Sequence, residues 1–293
     1  MSILPAEAPF FRAGPEQPVT PVVLSVPHAG RVYTPQLLKA ARVPLAALES
    51  LEDRLVDRLV WRAVQDGATA FIARAPRAEI DLNRDEREID PALISPPPPS
   101  GSTLQSAKTR GGLGLVPSRI AGSGAIWLHR LHRDELARRV AEIHRPYHEA
   151  VAAALRAARA RFGVAVLLDC HSMPPRGSVG GVPGAGEPPP LVFGDRHGSS
   201  IAPGLLRAAA SAASALGFAS ACNQPYAGGY IVTRHGRPSR SIHALQMEID
   251  RGAYLDPTLR EPGPGFDRVA QLIAVVAAAL GEAALETEPL AAE

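Results

Sequence analysis

The sequence predicts an α/β fold in which a mixed, largely parallel central sheet is flanked by helices. Short apolar and β-branched runs alternate along the chain with longer segments that repeat apolar residues at helical spacing. Hydrophobic residues make up 46% of the chain and charged residues 20%, as in globular proteins. We therefore predict a single domain over residues 1–293, with its core at about 18–280 and short termini outside it.

The first predicted strand and the first predicted helix carry candidate ligands. The apolar run VTPVVLSV (19–26) predicts a buried strand whose end lies at His28. The segment LAALESLEDRLVDRLVWRAVQD (45–66) repeats apolar residues at helical spacing and predicts one amphipathic helix. Asp53 and Asp57 lie four residues apart in this segment, so they would share a face of that helix.

Two strand-like pieces and a proline-rich stretch follow. ATAFIARA (68–75) and AEIDLN (78–83) are separated by Pro76, which favours a paired or broken strand. Four consecutive prolines in DPALISPPPPSGST exclude regular helix and central strand, so this stretch is predicted to be a surface excursion.

The middle of the chain predicts a long helix and then a central strand. Residues 128–161 form an amphipathic pattern that Pro146 is expected to kink. The continuously apolar VAVLLD (164–169) predicts a central strand that ends at Cys170 and His171.

The C-terminal part continues the alternation after a loop of Gly and Pro whose length is typical of a lid or a substrate loop. Its predicted pieces are LVFGD (191–195), a helix at about 200–216, YIVTRHG (230–236), ALQMEID (244–250) and a last helix near 265–282.

Composition excludes several classes of protein. The apolar runs are shorter than the roughly 20 residues of a membrane span, and the N-terminus lacks the pattern of a secretory signal. Only two cysteines occur, Cys170 and Cys222, which suits a reducing compartment. The net charge is +2 and the arginines are scattered. We expect a cytoplasmic protein that binds neither nucleic acid nor membrane.

His28 and His171 are the candidate metal ligands. Ligands of open α/β sheets collect outside the carboxyl ends of strands, where both histidines are predicted to lie. Two imidazoles and one carboxylate suffice for a catalytic Zn²⁺ site that keeps a position open for water. Each histidine alone could be structural; together, with carboxylates at neighbouring strand ends, they favour a metal. A nucleophilic Cys170 is disfavoured, because adjacent residues of a strand point to opposite faces.

The other histidines are weaker candidates for metal or substrate binding. His144 and His148 have a spacing that could bind metal, but Pro146 stands between them, so a partly exposed face of a kinked helix is favoured. His197 and His235 could reach substrate from loops, whereas His243 is expected to be structural.

Further side chains suggest an anionic substrate. Asn83 and Arg84 of DLNR (81–84) combine an amide with a guanidinium, which suits a carboxylate. Glu248 could act as a general base that takes a proton from water and returns it to the leaving nitrogen; its alternative role is an ion pair with an arginine.

The chain as a whole resembles the N-formylglutamate amidohydrolases, over roughly residues 18–280. The similarity rests on these segments, in order: SVPHAG, DRLVDRLV, APRAEIDLNRDEREIDP, GLGLVPSRI, HRPYHEAV, LLDCHSMPP, GDRHG, QPYAGGYIVTRHG and LQMEIDRGAYLD. The resemblance implies hydrolysis of N-formyl-L-glutamate to formate and glutamate, a late step of histidine degradation. It also implies a three-layer, zinc-peptidase-like (phosphorylase/hydrolase-like) fold.

The family is distantly similar to the zinc carboxypeptidases and to the aspartoacylase and succinylglutamate desuccinylase group. This similarity implies a substrate-carboxylate role for Asn83 and Arg84, the second metal ligand at His171 and the base at Glu248. The relatives draw an acidic ligand from an HxxE motif, but here Arg31 stands at that place after His28.

The third ligand must therefore come from elsewhere. Asp53 is the choice, with Asp57 and Glu52 as alternates; one aspartate could instead orient a histidine.

The resulting hypothesis is a Zn²⁺-dependent hydrolase of a small anionic N-acyl amino acid. Co²⁺ and Mn²⁺ remain open as the native metal, and the oligomeric state is not indicated. A second substrate carboxylate would bind Arg77, Arg176 or Arg234. One alternative is a related deacylase of another N-acyl acidic amino acid. A non-enzyme alternative is a protein that binds an acidic metabolite through a decayed site.

Overall fold

The computed structural model describes residues 8–176 and 188–287. The strands are β1 (Phe10–Ala13), β2 (Val22–Val26), β3 (Thr69–Ala73), β4 (Ile94–Ser95), β5 (Arg119–Ile120), β6 (Gly124–Ala125), β7 (Leu131–His132), β8 (Ala165–Met173), β9 (Leu191–Gly194), β10 (Ser220–Cys222) and β11 (Ile242–Asp250). The α-helices are α1 (Pro35–Ala40), α2 (Leu45–Glu49), α3 (Val56–Leu59), α4 (Trp61–Gln65), α5 (Ala107–Arg110), α6 (Arg133–Arg139), α7 (Arg145–Phe162), α8 (Pro203–Ala215), α9 (Tyr230–His235) and α10 (Phe266–Thr287).

The chain folds into two compact units that alternate along the sequence. The first unit contains the N-terminal residues through Phe11, Pro27–Glu52 and Ile72–Glu149. The second contains Arg12–Val26, Asp53–Phe71 and the residues from Ala150 onward.

The second unit holds the central sheet, in the order β1-β3-β2-β8-β11-β9-β10. The first two residues of β1 and the last two of β3 belong to the first unit. β8 is parallel to β2 on one side and to β11 on the other, while β9 is antiparallel to β11 and parallel to β10. All nine residues of β8 are buried, because the strand lies in the middle of the sheet. The prediction of a mixed, largely parallel sheet with helices is confirmed.

Helix α10 is the main cover of this sheet. It packs against α8, α4 and α3 and against strands β2 and β8. By length and composition alone its span Phe266–Glu286 could cross a membrane, but 56% of its most apolar window is buried within the protein, as in a core helix.

The first unit has a small core of its own. Its centre is formed by the buried side chains Leu48, Leu51, Ala78, Ile120 and Ile126. The unit also contains the parallel pair β4 and β7 and the antiparallel pair β5 and β6, and Ile120 of β5 belongs to this core. Trp127 closes one side and donates its indole N–H to the carbonyl of Pro117 at 2.7 Å.

The single helix predicted for residues 45–66 is wrong. The segment forms α2, α3 and α4, and Asp53 lies in the turn between α2 and α3, not on a helical face shared with Asp57. The apolar spacing was misleading because Leu48 and Leu51 are buried in the first unit, whereas Leu55 and Leu59 are buried in the second.

The strand predicted for residues 78–83 is also wrong, because backbone amides of this segment form hydrogen bonds to residues two or three positions away and not to a neighbouring strand. The amide of Asn83 donates to Asp81 Oδ1 at 2.8 Å, and the amide of Glu79 donates to the carbonyl of Pro76 at 2.8 Å. Side chains that compete for the backbone in this way favour turns over ladders.

Other boundaries move as well. The predicted helix at 128–161 begins at Arg133 and contains a π-helical turn, Val140–His144, before α7. YIVTRHG contains the helix α9. β8 extends to Met173, so His171 lies within the strand and not beyond its end. β11 begins two residues earlier than predicted and contains Glu248, as expected. The candidate lid loop falls largely on residues 177–187, outside the described residues.

Candidate metal and catalytic centre

The three predicted metal ligands are all buried. His28, Asp53 and His171 are each 2% exposed, so none is a solvated surface group. His28 lies two residues after β2 in the first unit, whereas Asp53 and His171 belong to the second. A buried charged or polar group needs partners that repay its lost hydration, and the contacts of each residue supply them.

In the second unit, the ring of His171 lies between two carboxylates. Nδ1 is 3.0 Å from Asp53 Oδ2, and Nε2 is 2.8 Å from Asp169 Oδ2. Asp169 precedes His171 by two residues on β8, so both side chains project from the same face of the sheet. Burial lowers the pKa of His171, but the charge of Asp169 and hydrogen bonds to Asp169 and Asp53 outweigh it, so the pKa lies well above its usual range.

Asp53 is held through its other oxygen. The hydroxyl of Ser172 donates to Asp53 Oδ1 at 3.2 Å, and Arg251 Nη2 donates to the same oxygen at 3.3 Å. Arg251 Nε also donates to Ser172 Oγ at 3.0 Å. The turn after Asp53 passes through Leu55 at φ 62°, a left-handed conformation that is uncommon for a branched residue. Such local strain is frequent at functional sites.

Glu248 lies beside His171 in the sheet. The two residues are register partners on β11 and β8, as are Gln246 and Asp169. These four side chains therefore share one face of the sheet, since side chains alternate along each strand. Gln246 donates to Glu248 Oε1 at 2.8 Å and accepts the amide of Gly229 at 2.7 Å, which orients the carboxylate.

Arg176 and Tyr226 add to the charged surroundings of Glu248. Burial and the charge of Glu248 raise the pKa of Tyr226, while Arg176 and Arg251 partly offset that increase. The amide of Arg176 donates to Asp250 Oδ2 at 2.7 Å, which fixes its backbone to the end of β11. Its Nη1 atom is buried and has no hydrogen-bond partner among the residues that the structure describes. A buried guanidinium N–H without a partner is a position suited to an anion.

In the first unit, Asp81 plays the same role for His28 that Asp169 plays for His171. His28 Nε2 lies 2.7 Å from Asp81 Oδ1. A carboxylate only accepts, so Nε2 carries the hydrogen. Asp81 is fully buried, and its Oδ2 accepts from Arg77 Nε at 2.9 Å. Burial raises the pKa of Asp81, but the charges of Arg77, Arg84 and His28 outweigh this effect, so the pKa lies well below its usual range.

The DLNR segment is tied down by these bonds. Arg84 donates through Nε to the carbonyl of Leu113 at 2.8 Å and through Nη1 to the carbonyl of Asn83 at 2.7 Å. Asn83 and Arg84 are both buried. The segment is therefore a preorganised turn, with an amide and a guanidinium held at fixed positions.

The remaining candidates have other surroundings. Glu52 is buried and accepts the hydroxyl of Tyr33 at 2.7 Å, whereas Asp57 is half-buried on α3. Arg234 is exposed on α9 and donates to Tyr230 Oη at 2.6 Å. Cys170 is fully buried, and burial raises the pKa of its thiol far above the usual range, which argues against a nucleophile.

The other histidines are mostly buried. His144 and His148 are fully buried, contrary to the predicted partly exposed helix face. His235 is buried at the end of α9, whereas His197 is exposed. His243 is buried and accepts the amide of Ala202 at 3.3 Å through Nδ1.

Sequence reasoning missed several members of this centre. Asp169 could have been found, because it lies two residues before His171 in a predicted strand and must share its face. Asp81 is the first residue of the DLNR motif, but the prediction drew only on Asn83 and Arg84 of that motif. Arg251 and Tyr226 carried no pattern that linked them to His171 or Glu248, since their proximity depends on the pairing of distant segments.

The comparison with family models finds N-formylglutamate amidohydrolase, matched over residues 20–255. An N-formylglutamate deformylase of Pseudomonas aeruginosa is 30% identical over 241 residues, which cover 80% of this chain and 82% of the relative. The enzyme of the same name from Pseudomonas putida is 31% identical over 273 residues, which cover 90% and 92%.

Solved structures agree with this similarity. The crystal structure of N-formylglutamate amidohydrolase from Ralstonia eutropha matches with a TM-score of 0.86 and 31% identity, over 96% of this chain and 100% of that one. A protein of Agrobacterium tumefaciens shares the fold at a TM-score of 0.61 and 16% identity, over 94% and 96%.

The buried His235 should make stability depend on pH. Burial, then the charges of Arg234 and Arg237, lower its pKa from 6.5 to about 3. Below pH 6.5 the unfolded chain binds a proton at His235 that the folded protein does not bind. The free energy of unfolding therefore decreases as the pH is lowered, by up to about 1.4 kcal/mol per pH unit. In urea denaturation between pH 8 and 4, this fall should be less steep in His235→Gln than in the wild type and in His197→Gln. Equal slopes in all three proteins would contradict the assignment.

Proposed function

Because the chain belongs to the N-formylglutamate amidohydrolase family, we propose that it hydrolyses the amide of N-formyl-L-glutamate and releases formate and L-glutamate. The observation that carries this proposal is the family match over residues 20–255 together with relatives of that activity at 30% and 31% identity. The partner is thus a small dianionic substrate. Both cysteines are free, which is consistent with a cytoplasmic enzyme.

A metal ion is part of the proposal. His28, Asp53 and His171 are buried and together offer two imidazole nitrogens and a carboxylate oxygen, a donor set that could hold a metal ion. This set matches the three protein ligands of a catalytic Zn²⁺ site, and Zn²⁺ is the ion that we propose. In the same proposal the fold is zinc-peptidase-like.

The carboxylates around the histidines support this fit. His28 and His171 each use Nε2 for a buried aspartate, so Nδ1 remains the atom that can bind a metal. Carboxylates that fix the tautomer and orientation of a ligating imidazole are a regular feature of metal sites. Nδ1 of His171 already faces Asp53 Oδ2, a pair that can share either a proton or a cation.

A bound Zn²⁺ would supply Lewis acidity that makes water more acidic and polarises the formyl carbonyl. The protein's own contribution to proton transfer is assigned to Glu248. Its carboxylate would take the proton of the attacking water and deliver it to the leaving nitrogen, which then departs as the amine of glutamate. The buried position beside His171 and the hydrogen bond from Gln246 favour a single orientation for this transfer.

The substrate carboxylates are assigned to two sets of residues. Asn83 and Arg84 would hold one carboxylate, as buried donors on a rigid turn. Arg176 would hold the other, because its buried Nη1 lacks a partner among the described residues. Arg77 is less suited, since its Nε is engaged by Asp81, and Arg234 is exposed and bonded to Tyr230.

The assignment of substrate and metal can be tested together. We expect the purified enzyme to release the acyl group fastest from N-formylglutamate, in a panel with the N-acetyl and N-succinyl derivatives of glutamate and aspartate. A chelator should abolish turnover, and added Zn²⁺ should restore it, because the reaction needs the ion that the two histidines and Asp53 bind. His171→Ala should lose both bound zinc and activity. Full activity of a zinc-free His171→Ala protein would overturn the metal assignment.

Replacement of the base should separate chemistry from metal binding. Glu248→Gln keeps an oxygen that can accept from Gln246 but removes the proton acceptor. We expect kcat to fall by about 10²- to 10⁴-fold. Zinc content, measured by atomic emission, should stay at the wild-type level. The exposed Glu282→Gln is the matched control and should leave kcat unchanged. A small change in kcat for Glu248→Gln would assign the base elsewhere.

Arg176 and Arg234, two of the candidates for the second substrate carboxylate, should behave differently. Arg176→Met should raise KM for N-formylglutamate by roughly 10- to 100-fold, the loss expected for a charge-assisted bond to a carboxylate. N-formylnorvaline lacks the side-chain carboxylate and shows which group Arg176 binds: the effect should disappear with this substrate if Arg176 binds the side-chain carboxylate and persist if it binds the α-carboxylate. Arg234→Met, at an exposed position, should leave both KM values unchanged. If both variants had the same KM, Arg176 would not bind substrate.

A further inference from the structure

The helical segment HRPYH has a role that metal binding does not explain. The π-helical turn Val140–His144 immediately precedes α7, and the amide of Arg145 donates to the carbonyl of Val140, five residues back. Pro146 has no N–H and its ring crowds the preceding turn, so a widened turn accommodates it. Both histidines of the segment are fully buried, and their ring centroids are 4.5 Å apart.

Each of these histidines bonds to the DLNR turn. His144 Nε2 is 2.9 Å from the carbonyl oxygen of Arg84, and His148 Nε2 is 3.0 Å from that of Leu82. Carbonyl oxygens only accept, so both Nε2 atoms carry hydrogen and donate. Both Nε2 atoms thus bind the turn, and neither histidine belongs to the group His28, Asp53 and His171 that could hold a metal ion.

Together with the other bonds, these contacts tie down every carbonyl from Leu82 to Arg84. The carbonyl of Asn83 accepts from Arg84 Nη1, and the turn is anchored upstream by the amide of Asp81, which donates to the carbonyl of Leu115 at 2.7 Å. Buried carbonyls that lose a donor cost free energy, so the turn would shift to regain one. A neutral imidazole supplies a directed donor without burying a charge.

We propose that His144 and His148 are positioning residues, which hold the Leu82–Arg84 backbone so that Asn83 and Arg84 bind the substrate carboxylate. This inference rests on the proposed carboxylate role of Asn83 and Arg84. The two imidazoles act through the turn and do not touch the substrate. Glu86, two residues after Arg84, pairs with Arg145 at 2.8 Å and so joins the segment after the turn to the start of α7.

Graded substitutions of His148 test the proposal. Gln places an amide N–H near the position of Nε2, Asn is one methylene shorter and withdraws it, and Leu removes it. We expect His148→Leu and His148→Asn to raise KM for N-formylglutamate about 5- to 20-fold, with kcat and zinc content nearly unchanged. His148→Gln should restore the wild-type KM. The same order is expected for His144→Leu, His144→Asn and His144→Gln.

A double-mutant cycle shows whether the effect passes through the turn. In an Arg84→Met background, His148→Leu should add less than about a twofold change in KM, since coupled residues are non-additive. Amide hydrogen exchange at Asn83 and Asp85 provides a readout that needs no activity: it should quicken in the Asn and Leu variants and return to the wild-type rate in the Gln variant.

The outcomes are distinguishable. Equal KM and equal exchange rates in the Gln and Asn variants would overturn the positioning role, and this polar pair remains informative if the Leu variants do not fold. A wild-type enzyme that releases no formate, but whose Asn variant shows faster exchange at Asn83, would overturn the proposed function and support the hold on the turn.

Discussion

The buried hydrogen bond between His171 and Asp169 is the constraint on which this centre depends. It places a carboxylate in the middle of a completely buried strand, where an unpaired charge would cost several kcal/mol. The neighbouring residues offset that cost: His171 bonds to Asp53 as well, and Asp53 in turn accepts from Ser172 and Arg251. The strand, the turn that carries Asp53 and the segment after β11 are thereby joined around one imidazole.

The first unit repeats the arrangement around Asp81. This fully buried carboxylate orients His28, accepts from Arg77 and shapes the turn that carries Asn83 and Arg84. One aspartate therefore links a proposed metal ligand with a proposed substrate clamp. His144 and His148 donate to carbonyl oxygens of the same turn. Small displacements of Asp81 are thus expected to change metal binding and substrate binding together.

The sequence predicted the elements best where one residue pattern served one core. The apolar run that became β8 and the long periodic segment that became α10 were recognised because each buries its side chains in a single place. The prediction of one helix over residues 45–66 was wrong because the leucines of this segment are buried in two different units. AEIDLN failed because Asp81 competes for backbone amides, an effect that an alternating pattern does not reveal. His144 and His148 were expected on a partly exposed helix face, and their burial could not be foreseen because the carbonyls that they bind lie some 60 residues away in the sequence.

By itself the sequence determined the α/β class, the family resemblance and the residue types of the centre: two histidines, a choice of acids, an Asn-Arg pair and a glutamate. These follow from local runs and from the order of motifs along the chain. Only the tertiary structure decided which carboxylate each histidine contacts, that Gln246 orients Glu248, and that Arg251 and Ser172 hold Asp53. The physical reason is that hydrogen-bond partners of a buried charge are selected by strand register and by the packing of distant segments, and neither is written in the spacing of neighbouring residues.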